Sequence, residues 1–209
     1  MASIVSIGLV GGVASGKSLV AKALVDLGAV HLDADRTGHE VLADDAEVRK
    51  ILVERWGDAI VGADGRIDRA AIARRVFGGS ESAAADRAYL ESVLHPRIGA
   101  RLKQRAVVAA ASGKPAVVLD APLLLEAGWK PFCDVILMID SPRELRLKRA
   151  TTRGWSEAEF DQREAAQWPV DKKRQSADAI ISNTGTADEL RGSVADFWAQ
   201  HVAPTTHKP

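Results

Sequence analysis

The chain opens on a short apolar, largely β-branched run, Ile4-Val5-Ser6-Ile7-Gly8-Leu9-Val10, which predicts a strand buried on both faces. It feeds Gly11-Gly12-Val13-Ala14-Ser15-Gly16, after which Leu19, Val20, Ala23, Leu24 and Leu27 recur at helical spacing until Gly28 stops them. The unit is strand, glycine loop, helix. A second strand is predicted at Ala29-Val30-His31-Leu32, ending at Asp33-Ala34-Asp35. Two further apolar runs, Ala116-Val117-Val118-Leu119-Asp120 and Val135-Ile136-Leu137-Met138-Ile139-Asp140, read as buried strands that each end in an aspartate, and Ala179-Ile180-Ile181 is the last. Wholly apolar strands alternating with helices predict a parallel sheet covered on both faces.

Between Thr37 and Ser112 the pattern changes to alanine, arginine and leucine at helical spacing, with breaks at Gly57, Asp64-Gly65 and Gly78-Gly79. Asp68 reads as a helix N-cap and Pro96 as the first residue of a helix. This stretch is expected to be a helical insertion. Arg143 to Arg153 reads as a basic helix.

Composition narrows the class. Of 209 residues, 28 are Lys or Arg and 28 are Asp or Glu, so the formal net charge is zero and general attraction to nucleic acid or an anionic membrane is not expected. With 46% apolar residues the chain can bury a core. Cys133 is the single cysteine, which excludes an internal disulfide and suits a reducing compartment. No run approaches the roughly 20 apolar residues of a membrane span, and the start lacks a signal peptide's pattern, so a cytoplasmic protein is expected. The tail, 204–209, is expected to be disordered.

Gly11-x-x-x-x-Gly16-Lys17-Ser18 has the spacing of a mononucleotide-binding loop. Glycines let the backbone curl so that the N–H groups from about Val13 to Leu19 point at one anion, and the helix beginning at Lys17 adds its positive end. The Lys17 ammonium suits the β- and γ-phosphates of ATP, and the Ser18 hydroxyl suits Mg²⁺. A strand precedes the loop and a helix follows it, as this function requires.

The loop alone leaves the acceptor open. A GTPase could claim Asp35-Arg36-Thr37-Gly38, but the Asn-Lys-x-Asp that reads guanine is absent. A motor ATPase usually carries an acidic pair where Asp120 is followed by Ala121-Pro122. A small-molecule kinase explains more: Asp33, Asp35, Asp120 and Asp140 lie at or just past strand ends, where ligands collect in parallel sheets. Such carboxylates can take a proton from an attacking hydroxyl or hold Mg²⁺. If Asp33 and Asp35 both lie in extended chain, their side chains face the same way. Arg146, Arg149 and Arg153 share one helical face, either a solvated one or a lid over a triphosphate. His95 before Pro96 is either a packed or a binding histidine. The five tryptophans lack the spacing of a base-stacking platform, and the histidines and Cys133 lack that of a zinc site.

The chain resembles the dephospho-CoA kinases. The resemblance rests on Gly8 to Ser18, Leu32-Asp33-Ala34-Asp35 with Glu40-Val41-Leu42, Gly65-Arg66-Ile67-Asp68-Arg69 and Leu94-His95-Pro96-Arg97-Ile98. Asp120-Ala121-Pro122-Leu123-Leu124-Leu125-Glu126, Lys173 to Asp178 and Asn183-Thr184-Gly185 complete it. It implies ATP- and Mg²⁺-dependent transfer of the γ-phosphate to the ribose 3′-hydroxyl of dephospho-CoA. It also implies an α/β, adenylate-kinase-like P-loop fold with an open five-stranded parallel sheet, a helical substrate insertion and a helical lid. On this chain the nucleotide core would be 1–36 and 113–203, with a lid at about 143–175 and the helical acceptor domain at 37–112. Lys17, Asp35, Asp33 and Arg149 or Arg153 would be catalytic. ATP would lie along Gly12, Val13, Ala14, Ser15, Gly16, Lys17, Ser18 and Leu19, with Asn183 and Gly185 by its adenine. Asp35, His95, Pro96, Asp120 and Leu123 would hold the acceptor, with Ser18 on the metal. The oligomeric state stays open, a monomer being the simplest reading. Another small hydroxyl acceptor such as a nucleoside, or a nucleotide-dependent switch, remains the alternative.

Three positions depart from the family pattern. Leu19 replaces a common threonine, His39 stands where arginine is frequent, and Pro169 should end a helix early in a stretch that is often helical.

Overall fold

Five strands, β1 (Val5–Gly11), β2 (Val30–Asp33), β3 (Ala116–Asp120), β4 (Val135–Asp140) and β5 (Ala179–Ser182), form one parallel sheet in the order β2-β3-β1-β4-β5. The computed structural model describes residues 4–78 and 81–203; the tail expected to be disordered, 204–209, lies outside the described residues. Alternation decides what each face packs. Val5, Ile7 and Leu9 of β1, with Ala116 and Val118 of β3 and Val135, Leu137 and Ile139 of β4, join one apolar cluster. That cluster also holds Val20, Ala21 and Leu24 of α1 (Lys17–Asp26) and Leu190, Val194 and Phe197 of α9 (Ala187–His201). Each Val, Leu, Ile or Phe taken from water here contributes about 1.5–3 kcal/mol, so this layer supports the sheet.

At the opposite end of the strands, two carboxylates take the place of ladder partners. Asp134 accepts from the Ser6 N–H and Asp178 from the Ile136 N–H, both at 2.8 Å. The thiol of Cys133, beside these two aspartates, is pushed up to about 12, chiefly by burial and then by their charge.

The remaining helices are α2 (Ala34–Asp44), α3 (Ala46–Trp56), α4 (Arg69–Phe77), α5 (Ala83–Ala111), α6 (Arg143–Thr152), α7 (Glu157–Ala165) and α8 (Val170–Gln175). Ala34–Gln104 forms one compact unit and the chain on either side of it forms the other. Asp45 caps α3 through the Glu47 and Val48 N–H groups, and Asp68 caps α4 through that of Ala70, as its place in the sequence predicts. Pro96 does not begin a helix. It lies inside α5, and the Arg97 guanidinium donates at 2.9 Å to the carbonyl of Val93, one of the acceptors that an internal proline loosens. Packing of α5 on both sides of the proline overrides the local stop signal. Among the described residues, no helix is long and apolar enough to cross a membrane.

The helical unit contains a buried polar cluster. The carboxylate of Asp86, 3% exposed, accepts from Trp56 Nε1 at 3.0 Å and meets Arg75 Nε at 3.0 Å. The Trp56 ring lies edge-on to Tyr89, with the Arg75 guanidinium 5.3 Å from its centroid. Asp86→Ala strands the indole N–H, whereas half-exposed Arg75 can turn to water. The expected loss is therefore about 2–3 kcal/mol, below the value for a fully buried pair. Urea unfolding followed by tryptophan fluorescence measures it.

Candidate active site

The phosphate loop is built where β1 ends. Gly11 closes the strand, Ala14 takes a left-handed conformation (φ 57°) and Gly16 (φ 105°, ψ 16°) is the N-cap of α1. Alternation of this kind turns successive N–H groups into one concavity that fits an anion. The Ser15 N–H closes the curl on the Gly12 carbonyl at 3.1 Å, and the N–H groups of Leu19 and Val20 return to that of Gly16. Lys17 is half-buried on the first turn of α1, and Ser18 and Leu19 are exposed beside it. The Leu19 N–H, expected to point at the anion, is instead the first donor back into α1, to the Gly16 carbonyl at 3.0 Å.

The loop is gripped from outside. Asn183, buried just beyond β5, donates its amide to the Ser15 carbonyl at 2.8 Å. Arg149 Nη1 reaches the same carbonyl at 3.3 Å, and its Nη2 donates to the Asn183 carbonyl at 2.9 Å. Ser141 adds its hydroxyl to the Asn183 carbonyl at 2.9 Å. Burial, and next the charge of Arg153, lowers the affinity of Arg149 for its proton. Arg146 is buried as well: Nε donates to the Ser141 carbonyl at 3.0 Å and Nη1 to that of Val13 at 3.2 Å. Its charge meets Glu164 of α7.

Lys173 of α8, 2% exposed, lies behind the strand-to-loop junction. Its Nζ donates to Gln167 Oε1 at 2.7 Å and to the Gly11 carbonyl at 3.5 Å, and pairs with Glu126 Oε1 at 3.3 Å. Burial lowers its proton affinity, and Glu126 opposes that shift. Glu126 also accepts from the Trp168 N–H at 2.7 Å, so the turn after β3 holds the segment between α7 and α8. Pro169 is the N-cap of α8 and α7 ends at Ala165, the early stop that the proline predicts.

The expected convergence of four aspartates is only partly met. Asp33 and Asp120 end neighbouring strands in register, and Asp120 lies 3.5 Å from His31. Asp140 is engaged by Arg174 at 2.8 Å. The expectation that Asp33 and Asp35 face one way in extended chain is corrected. β2 stops at Asp33 and Asp35 is the second residue of α2, because Ala34 turns the chain into a helix whose first turn favours an acidic side chain. The arginine face also divides: Arg146 is buried, Arg149 half-buried and Arg153 exposed at the C-cap of α6. Arg146 is thus neither a solvated side chain nor part of an open lid.

In the helical unit His95 is half-buried and Pro96 exposed on α5, and His39 lies 2.7 Å from Arg69 Nη2. Leu123, on the turn after β3, is 38% exposed. Sequence reasoning missed Lys173, Glu126, Glu164 and Gln167 as loop supports. Lys173 sits in a Lys-Lys-Arg run whose last two residues belong to the family motif, and only the α8 turn separates it from its exposed neighbours Lys172 and Arg174.

Two cavities lie in the unit that holds the loop, the first of them against the loop itself. One, of about 550 Å³, is lined by Gly12, Val13, Arg146, Glu164, Gln167 and Trp168 among others. The other, of about 300 Å³, is lined by Ser182, Asn183, Thr184, Gly185 and Glu189 among others. Among the described residues no group of three potential ligands could hold a metal by itself.

Known proteins resemble the chain throughout. The family model for dephospho-CoA kinase matches residues 5–189. A dephospho-CoA kinase of Geobacter metallireducens is 39% identical over 197 residues, 94% of this chain and 96% of the relative. The crystal structure of TT1252 from Thermus thermophilus superposes with a TM-score of 0.74 at 32% identity, covering 94% of this chain and 97% of that one. A dephospho-CoA kinase from Campylobacter jejuni, at 24% identity and a TM-score of 0.63, covers 95% of this chain and 97% of its own and shares the fold.

Proposed function

The chain belongs to the dephospho-CoA kinase family, and from that premise we infer that its phosphate loop serves ATP-dependent transfer to the ribose 3′-hydroxyl of dephospho-CoA, giving CoA. The observation that carries the reading is the left-handed curl from Gly11 to Gly16 ahead of Lys17, an anion cradle at the carboxyl edge of a parallel sheet.

In-line phosphoryl transfer needs positioning and charge neutralisation more than covalent chemistry. Loop N–H groups and Lys17 take the β- and γ-phosphates. Asp35 accepts the proton of the 3′-hydroxyl as its oxygen attacks phosphorus, while the bond from the γ-phosphorus to the ADP oxygen breaks and ADP leaves. Asp33 is its partner at the site. Arg153 is the arginine assigned to the transferring phosphoryl group, since Arg149 already uses its donors on Ser15, Ser141 and Asn183. The cavity from Ser182 to Glu189 suits the adenosine of ATP, with Gly185 at its wall and Asn183 acting through the loop. Asp120, Leu123, His95 and Pro96 are assigned to the acceptor; Leu123 supports this as an exposed apolar side chain.

Mg²⁺ takes most of its oxygens from water and phosphate, so one exposed hydroxyl on the first turn of α1, that of Ser18, fits it. When bound it neutralises phosphate charge. The compartment that goes with this reading is the cytoplasm, where ATP is available.

ADP release is the test. With ATP and dephospho-CoA the enzyme should release ADP in step with CoA. Turnover of adenosine with dephospho-CoA inert would move the assignment to a nucleoside kinase, and GTP preference without acceptor-dependent release would move it to a switch.

A further inference from the structure

Three basic side chains hold alternate carbonyls of the phosphate loop: Lys173 that of Gly11, Arg146 that of Val13 and Arg149 that of Ser15. In a trans peptide the carbonyl and the following N–H point in opposite directions. A carbonyl drawn outward at Val13 therefore turns the Ala14 N–H inward, and one drawn outward at Ser15 turns the Gly16 N–H inward. These are the residues with positive φ, and Ala14 is the one such non-glycine residue among those described. A left-handed alanine is strained and persists only where its surroundings fix it. Here the fixing group is the Arg146 guanidinium, which lies so close that a Cβ on Gly12 would stand 2.6 Å from Nη1.

We infer that Arg146 and Lys173 are positioning residues for ATP, an outer clamp that keeps the loop N–H groups aimed at the triphosphate without touching it. Each carries its own carboxylate, Glu164 for Arg146 and Glu126 for Lys173, so little net positive charge is added behind the loop. Orientation, not field, is what the clamp supplies. Glu164 also lies 3.7 Å from Arg143 Nε, and Phe160 of α7 packs with Val13 and Ala150, so α7 is fastened to the loop by both charge and apolar contact. The α6–α7 pair is thereby part of the loop's frame. The inference rests on the ATP-binding part of the proposed function and not on the acceptor.

The test uses R146M, K173M and R146K. Titration with a fluorescent ATP analogue is expected to give a dissociation constant raised at least about tenfold in R146M and about fivefold in K173M, with R146K in between. The KM for dephospho-CoA should stay within about twofold. In ¹H–¹⁵N spectra the Ala14 amide shifts on analogue binding in the parent and should no longer do so in R146M. A folded R146M that keeps analogue affinity within about twofold, or that loses both substrates in equal ratio, overturns the inference. If R146M or K173M lacks the parent's circular dichroism, R146K is judged by the same readings. Because the titration contains no acceptor, a parent that binds the analogue but leaves dephospho-CoA untouched defeats the acceptor assignment alone.

Discussion

Asp35→Asn is expected to lower kcat by about 10²- to 10⁴-fold while ATP affinity stays within about twofold. The substitution keeps shape and removes the charge and basicity that take a proton from the attacking hydroxyl. Asp35 is exposed on the first turn of α2, two residues beyond the last strand residue Asp33. In the proposed mechanism it takes the proton of the acceptor hydroxyl and holds no phosphate of ATP, so ATP affinity should not register its loss. Asp33→Asn separates the two roles. Asp33 stays on the strand, in register with Asp120, and its loss should be smaller because a partner carboxylate orients and does not accept the proton. Single-turnover phosphorylation with saturating ATP, with analogue binding measured in parallel, gives both numbers. A variant at Asp35 that turns over like the parent removes it as the base and leaves Asp33 as the candidate.

The strands were legible because each is a short, mostly apolar run, whereas their order, β2-β3-β1-β4-β5, is seen only in the structure. Every strand lies within a residue or two of its expected place. The loop was legible because its chemistry is local: glycine at two positions, then lysine and serine, between a strand and a helix. What could not be read depends on groups far apart in sequence. Asp35 is not in extended chain because Ala34 starts a helix, a choice that two residues of local pattern do not settle. Pro96 reads as a stop, yet α5 continues through it, and Arg97 covers a carbonyl that the proline loosens. Arg146 reads from sequence as solvated or as part of a lid, and Lys173 only as part of the family motif. Only their partners, 133 residues away at Val13 and 162 residues away at Gly11, make them internal. A periodic pattern gives which face a residue is on, and the identity of what covers that face is tertiary information.

Gly16→Ala brings the second large effect and follows from backbone geometry. At φ 105° and ψ 16° an L-residue is strained by about 1–2 kcal/mol, and the added Cβ would stand 2.2 Å from Asn183 Nδ2. Asn183 cannot move aside cheaply. It is buried, its amide holds the Ser15 carbonyl, and its own carbonyl holds Arg149 and Ser141. Displacing it breaks the Asn183–Ser15 bond, worth about 1 kcal/mol, and loosens the grip of Arg149 on the same carbonyl. The two costs together come to about 2–3 kcal/mol, and they fall on the conformation that binds the phosphates, so analogue affinity should drop by about 30- to 150-fold. Gly12→Ala differs in kind, because φ is not restricted there and the obstacle is one guanidinium, Arg146, at 2.6 Å. It should weaken ATP less than Gly16→Ala does and, if the clamp acts as inferred, should add little to R146M when the two are combined. Equal effects at Gly12 and Gly16 would mean that the loop rejects any side chain near its anion. The expected inequality instead traces each loss to its glycine: at 16 a left-handed φ together with a fixed amide, at 12 only the Arg146 clamp that R146M already removes.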